Sequence, residues 1–254
     1  MKTTDKPDSA STNLGSGAMF DAIAARYDTL NRILSLGMDQ GWRRKAVAAL
    51  ALPSGARVLD LATGTGDLAI AIAETHTDAQ VVGVDPSRNM LAEGTRKVSD
   101  IHLSNRVELL EGDAQALSFG DETFDGVTIA FGIRNVPDRL KALREMARVT
   151  RTGGRVVVLE LSEPRAGLMG VLARTYVHEI VPRVGGLISG AKEYRYLQKS
   201  IAAFPPAAEF AQMMDDAGME VLETSPLTFG VAHLYVGTPK LNPERGAAHR
   251  TEAS

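Results

Sequence analysis

The chain has 254 residues, 44% of them hydrophobic, so it can bury a substantial core and does not belong to the disordered class. Its 28 lysines and arginines against 31 aspartates and glutamates give a net charge of −3, with no general basic excess to suggest nucleic acid. Cysteine is absent, which excludes disulfides, thiolate catalysis and cysteine-ligated zinc and fits a reducing, cytoplasmic compartment.

Residues 1–17 are rich in Ser, Thr, Gly and Asp and lack an apolar signal core, so a flexible tail is expected there. Phe20, Ile23 and Tyr27, then Leu30, Ile33 and Leu34, follow a helical spacing, and a further helix is predicted over Met38–Leu50. Pro53-Ser54-Gly55 makes a turn. Strands and helices then alternate. Strands are predicted at Arg57–Ala62, Gln80–Asp85, Val107–Leu110, Phe124–Phe131 and, after a Gly153-Gly154 turn, Arg155–Leu161. Helices are predicted from Asp67, from a Ser87 cap, and over Asp138–Arg148. This alternation predicts a doubly wound, mostly parallel α/β sheet. Residues 165–203 read as helical, and another helix follows Pro205-Pro206. Val221–Thr224 and Val231–Gly237 are expected as an antiparallel hairpin at the sheet edge, joined by a loop containing Pro226. One domain over 18–239 with a flexible tail at 240–254 accounts for the whole chain. No apolar stretch reaches transmembrane length.

The stretch Asp60-Leu61-Ala62-Thr63-Gly64-Thr65-Gly66-Asp67 carries the chemistry. Gly64 to Ala69 spells G-x-G-x-x-A, a turn that brings backbone close to a nucleotide, and Asp85 ends the second strand where an acid accepts from ribose hydroxyls. Both a nicotinamide dinucleotide and S-adenosylmethionine (S-adenosyl-L-methionine) want these features. Asp60 separates them. A buried carboxylate is costly unless paired; the ammonium of a methionine moiety offsets that cost, whereas a pyrophosphate is repelled. Asp113, followed by Ala114 after the third strand, can accept from the adenine amine, although alone it reads first as a strand-ending turn. Asp60, Gly64 with Gly66, Asp85 and Asp113 together give the order of a class I S-adenosylmethionine-dependent methyltransferase fold.

Flanking stretches sharpen this. Tyr27-Asp28-Thr29-Leu30-Asn31-Arg32-Ile33-Leu34-Ser35-Leu36-Gly37 continuing to Trp42, Phe131-Gly132-Ile133-Arg134-Asn135-Val136, and Arg148-Val149 with Gly153-Gly154 and Glu160-Leu161-Ser162 resemble the menaquinone/ubiquinone biosynthesis C-methyltransferases. Tyr194-Arg195-Tyr196-Leu197, Met213-Met214 and Leu227-Thr228 are similar as well, so the resemblance covers roughly residues 18–238. Departures stand at Asp39, often histidine in the family; at Arg151-Thr152, usually Lys-Pro; at Ala130, often serine; and at His233-Leu234-Tyr235, usually Ala-Leu-His.

The resemblance implies methyl transfer from S-adenosylmethionine to a ring carbon of a prenylated quinol, a demethylmenaquinol or its ubiquinone counterpart. It also implies Thr65, Asp85, Asp113 and Ala114 as cofactor contacts. No metal is required. Arg134 and Asn135 are expected beside the methyl. There Arg134 either stabilises the developing quinolate or pairs with an acid and orders its loop; its pKa above 12 makes it a poor base, so a water held by it is the expected proton acceptor. Tyr27 and Asp28 are read as a lid, against plain helix packing. His178 and His233 are candidate bases, although a lone histidine reads first as structural and both are read so here. The 168–199 segment mixes apolar and basic residues. That fits a peripheral contact with the inner face of the membrane, the mouth of a pocket for the prenyl tail, or simply a core-facing helix with a solvated basic face. A homo-oligomer is compatible with the sequence. Rival readings are a methyltransferase of the same fold acting on a phenol or sterol, an NAD-dependent oxidoreductase, and a non-catalytic binding module.

Overall fold

The computed structural model describes residue 32, residues 35–163 and residues 191–241. The expectations for Tyr27, Asp28, the remaining N-terminal positions, 164–190 and 242–254 lie outside the described residues. In chain order the described elements are α1 (Met38–Ala49), β1 (Arg57–Leu61), α2 (Asp67–Thr75), β2 (Gln80–Asp85), α3 (Arg88–Asp100), β3 (Val107–Glu111), β4 (Phe124–Ala130), α4 (Arg139–Val149), β5 (Thr150–Leu161), α5 (Ala191–Ala202), α6 (Ala207–Asp216), β6 (Met219–Leu227) and β7 (Ala232–Pro239).

The strands form one sheet in the order β3-β2-β1-β4-β5-β7-β6. The first five run parallel, and β7 is antiparallel to both of its neighbours. The expected doubly wound sheet with a reversed C-terminal hairpin is the one observed. The hairpin's second strand, β7, inserts against β5 and leaves β6 as the edge. That explains Pro226, expected in a loop and found inside β6: an edge strand tolerates a residue without an N–H. Strand β5 also starts earlier than expected. Pairing resumes through Gly153 (φ 82°) by a register shift opposite Phe124 and Gly126, so the glycine pair bends the ladder instead of ending it. Just past β7, the Lys240 N–H donates to the Gly218 carbonyl at 2.8 Å and its ammonium lies 2.8 Å from Asp215.

Alternation along each strand builds two apolar layers. Val58, Val81, Val107 and Val157 face Trp42 of α1, Ile72 of α2 and Val98 of α3. Leu59, Val127, Val158 and Tyr235 face Met146 of α4 and Phe210 of α6. Each such burial contributes about 1.5–3 kcal/mol. Ser87 caps α3 by accepting from Met90 N, and Asp138 caps α4 by accepting from Lys141 N. The helices therefore start where the parallel strands end, and the carboxyl ends of β1, β2, β4 and β5 meet along one rim.

Candidate active site

The rim begins at the turn after β1. Ala62 (φ 48°), Gly64 (φ 58°) and Gly66 (φ 80°) all take left-handed backbone, which glycine adopts freely and Ala62 adopts only at a cost. Gly66 then opens α2. Asp60 lies beneath this turn with 1% of its surface exposed. Its carboxylate accepts from the Thr63 hydroxyl at 2.7 Å and from the Thr128 hydroxyl of β4 at 2.8 Å. Burial pushes the carboxyl up to about 6, outweighing those two hydroxyls and the nearby Arg43 cation.

Asp85 ties the turn to the end of β2. One carboxylate oxygen accepts from Gly64 N at 2.9 Å and the other from Ser87 N at 2.8 Å. The Asp85 carbonyl accepts from Gly112 N at 3.2 Å, which brings the β3 exit alongside. Asp113 there accepts from Gln115 N and from the Gln115 side-chain amide at 2.9–3.0 Å, and Ala114 packs under the same exit. Thr65 is buried, and its hydroxyl accepts from Lys97 of α3 at 3.3 Å; Lys97 also pairs with Asp67. The structure thus brings Asp60, the glycine turn, Asp85 and Asp113 together along adjacent strand exits. It turns the Thr65 side chain toward α3.

The β4 exit lies next to the β1 exit. Gly132 approaches Ala62 so closely that a Cβ at 132 would stand 2.3 Å from the Ala62 Cβ. Phe131 (φ 57°) packs 6.2 Å from Trp42, and the Arg43 guanidinium stacks 5.3 Å from the Phe131 ring centroid. Helix α1 thereby packs on the β4 exit. Arg134 follows on a short 3-10 turn over Ile133–Asn135. Its Nη1 pairs with Glu160 Oε1 at 2.5 Å and donates to the Phe131 carbonyl at 2.6 Å, while its backbone N–H donates to Glu160 Oε2 at 3.1 Å. Glu160, on β5, is fully buried. Of the two readings of Arg134, the acid partner and ordered loop are present. Asn135 Oδ1 accepts from the Tyr196 hydroxyl of α5 at 3.0 Å.

Sequence reasoning missed three participants. Glu160 carries the same signal as Asp60, an acid inside an apolar strand. Arg43 and Lys97 carry none, because only the packing of α1 and α3 brings them to the rim. A groove at the opposite, amino ends of β1–β3 includes Arg106, which donates to the carbonyls of Ala73 and His76 and so ties down the end of α2. Among the described residues no cluster of three or more His, Asp or Glu could hold a metal, and no helix is long and apolar enough to cross a membrane.

The cofactor fits this rim. Asp60 is a buried acid whose two partners are neutral hydroxyls, so a cation gains there, and the glycines leave backbone uncovered beside it. A pyrophosphate placed on the same turn meets the buried carboxylate of Asp60 instead.

Comparisons agree. The model of the ubiE/COQ5 methyltransferase family matches residues 8–239. A demethylmenaquinone methyltransferase from Thermus thermophilus is 50% identical, covering 86% of this chain and 99% of its own. A ubiquinone/menaquinone biosynthesis C-methyltransferase UbiE from Syntrophotalea carbinolica is 47% identical, covering 88% and 93%. Among solved structures, the cyclase SpnF has a TM-score of 0.67 at 16% identity over 89% of this chain and 96% of its own. A SAM-dependent methyltransferase from Aquifex aeolicus has 0.57 at 18% over 77% and 88%. At such identities these two speak for the fold alone. The rim geometry and the family match lead to one conclusion: the chain belongs to the ubiE/COQ5 methyltransferase family and is an S-adenosylmethionine-dependent methyltransferase.

Proposed function

We propose that this enzyme methylates a ring carbon of a demethylmenaquinol, forming menaquinol. The observation that carries the reading is the 50% identity to the Thermus demethylmenaquinone methyltransferase over 99% of that chain, well beyond the cofactor half of the fold. A second reading, the equivalent step toward ubiquinone, is favoured by the UbiE relatives, whose name covers both quinones.

When bound, S-adenosylmethionine supplies an electrophilic methyl with a neutral thioether as leaving group. Asp60 holds the ammonium, the backbone of Gly64, Thr65 and Gly66 cradles the methionine end, Asp85 accepts from the ribose, and Asp113 with Ala114 takes the adenine. The protein's main contribution is alignment, which supplies up to roughly 7–11 kcal/mol in well-oriented systems. Arg134 and Asn135 border the acceptor, with Glu160 and Tyr196 fixing their directions. Arg134 acts as a hydrogen-bond donor to the quinol oxygen and not as a base. Because a prenylated substrate resides in the bilayer, the enzyme works at the inner membrane face; flotation with anionic liposomes at low salt checks this, and absence of binding there rejects it.

The deciding experiment is product analysis after incubation with labelled S-adenosylmethionine and reduced demethylmenaquinone or the demethylated ubiquinone precursor. Label in menaquinol supports the first reading. Label only in the ubiquinone series replaces it with the second.

A further inference from the structure

We propose that His233, oriented by Ser162, accepts the phenolic proton of the quinol during methyl transfer. This rests on the quinol reading above and supplies the proton acceptor that Arg134 cannot be.

The orientation follows from counting hydrogens. Ser162 Oγ donates to the Gly230 carbonyl at 2.7 Å, and a hydroxyl has a single hydrogen to donate. Its 2.6 Å contact with His233 Nδ1 therefore has the ring as donor. That fixes the Nδ1–H form and leaves a lone pair on Nε2. Among the described residues none hydrogen-bonds to Nε2. A base held in one tautomer by a third group is the arrangement that general-base histidines use.

The placement also fits. His233 lies at the start of β7, directly opposite Glu160 in the β5–β7 ladder, and Glu160 holds Arg134 on the β4 exit. Ser162 immediately follows β5. The pair thus joins the rim where ligands of open α/β sheets bind. Burial lowers the His233 pKa, which favours the neutral ring. The titratable and charged groups facing it are Glu160 on β5 with its Arg134 partner, and Tyr235 on β7, stacked with ring centroids 5.9 Å apart; from β6 the opposing residue is the uncharged Pro226.

The step balances. The phenolic O–H breaks, its proton goes to Nε2, and its electron pair stays on oxygen and raises electron density at the ring carbon. That carbon bonds the methyl, and the pair of the methyl–sulfur bond stays on sulfur. The ring C–H proton then leaves to water, and the imidazolium returns its proton to the oxygen. The net release is one proton.

Two measurements test this. Side-chain 15N NMR of the full chain with labelled histidine is expected to show His233 protonated at Nδ1 and bare at Nε2 at pH 7.5, with the preference lost in Ser162→Ala. His233→Gln is expected to lower kcat roughly 10²–10⁴-fold with unchanged S-adenosylmethionine affinity and to remove the acid limb of the pH profile; imidazole should partly rescue His233→Ala. An Nε2–H tautomer in the wild type overturns the proposal. So does a His233→Gln enzyme within threefold of wild type, or one that retains the acid limb. A wild type that methylates no demethyl quinol overturns the substrate reading and this proposal with it, whereas an active wild type with an unaffected variant overturns this proposal alone.

Discussion

Asp60 makes the rim sensitive to pH. Its folded carboxyl titrates at about 6 against an ordinary 3.8. Folding is therefore favoured by the proton it holds at low pH, and that stability fades as pH rises through about 6. The difference corresponds to about 3 kcal/mol. Asp60→Asn is expected to stabilise the cofactor-free protein at pH 8 by up to that amount in urea unfolding, with little gain below pH 4. The same change should weaken S-adenosylmethionine roughly 10- to 150-fold by calorimetry, the worth of a hydrogen bond to a charged group. Unchanged affinity would remove the ammonium from Asp60. Glu160 is buried beside a cation, the Arg134 guanidinium. Glu160→Ala should cost about 3–5 kcal/mol because it strands a buried guanidinium, while a double change to Arg134→Met and Glu160→Met should recover most of the loss. Asp60 was legible in the sequence because an acid among apolar strand residues demands an account. Glu160 met the same test but was read only as part of the Glu160-Leu161-Ser162 stretch.

Elements explain how the turn is held. Helix α3 lies against it through Gly94, where a Cβ would stand 3.0 Å from the Thr65 carbonyl carbon and 2.7 Å from Leu109 Cδ1. Alanine ordinarily favours a helix over glycine by about 1 kcal/mol. Here the crowding should win: Gly94→Ala is expected to cost a net of about 1–3 kcal/mol and to weaken cofactor binding by shifting Thr65. A variant melting at or above the wild-type temperature would show that α3 moves freely. The strands of the parallel half were legible from their valine runs. The position of β7 beside β5 was not, because pairing order between two late strands depends on which one completes the two apolar layers. Likewise Arg43 and Lys97 had no pattern of their own; their roles exist only once α1 and α3 dock.

At the scale of the molecule, the sheet and its rim couple ligand binding to folding. Any ligand bound only by the native state adds stability by mass action, about 2.7 kcal/mol at a hundredfold excess over its Kd. For a chain of this length that corresponds to a rise of roughly 5–10 °C. S-adenosylmethionine is expected to produce such a shift in a thermal melt and NAD none. A shift with NAD alone would restore the oxidoreductase reading that G-x-G-x-x-A left open. The class of sheet followed from alternating strands and helices, and the family from stretches on both sides of the glycine turn. The surroundings of Arg134 and Asn135 were less legible, because their partners Glu160 and Tyr196 come from β5 and α5 and meet them only in the folded chain.

The reversed direction of β7 has a further consequence. A parallel strand at that place would send its first residues to the far end of the sheet, away from every ligand. Running backward, it delivers them to the working end, so the final hairpin behaves as a cassette plugged into a cofactor platform built without it. Acceptor preference can then drift through that cassette while the platform stays fixed. Exchanging residues 219–239 with those of a relative that uses a different quinone should carry the acceptor choice across, measured by product analysis, and leave S-adenosylmethionine affinity where it was.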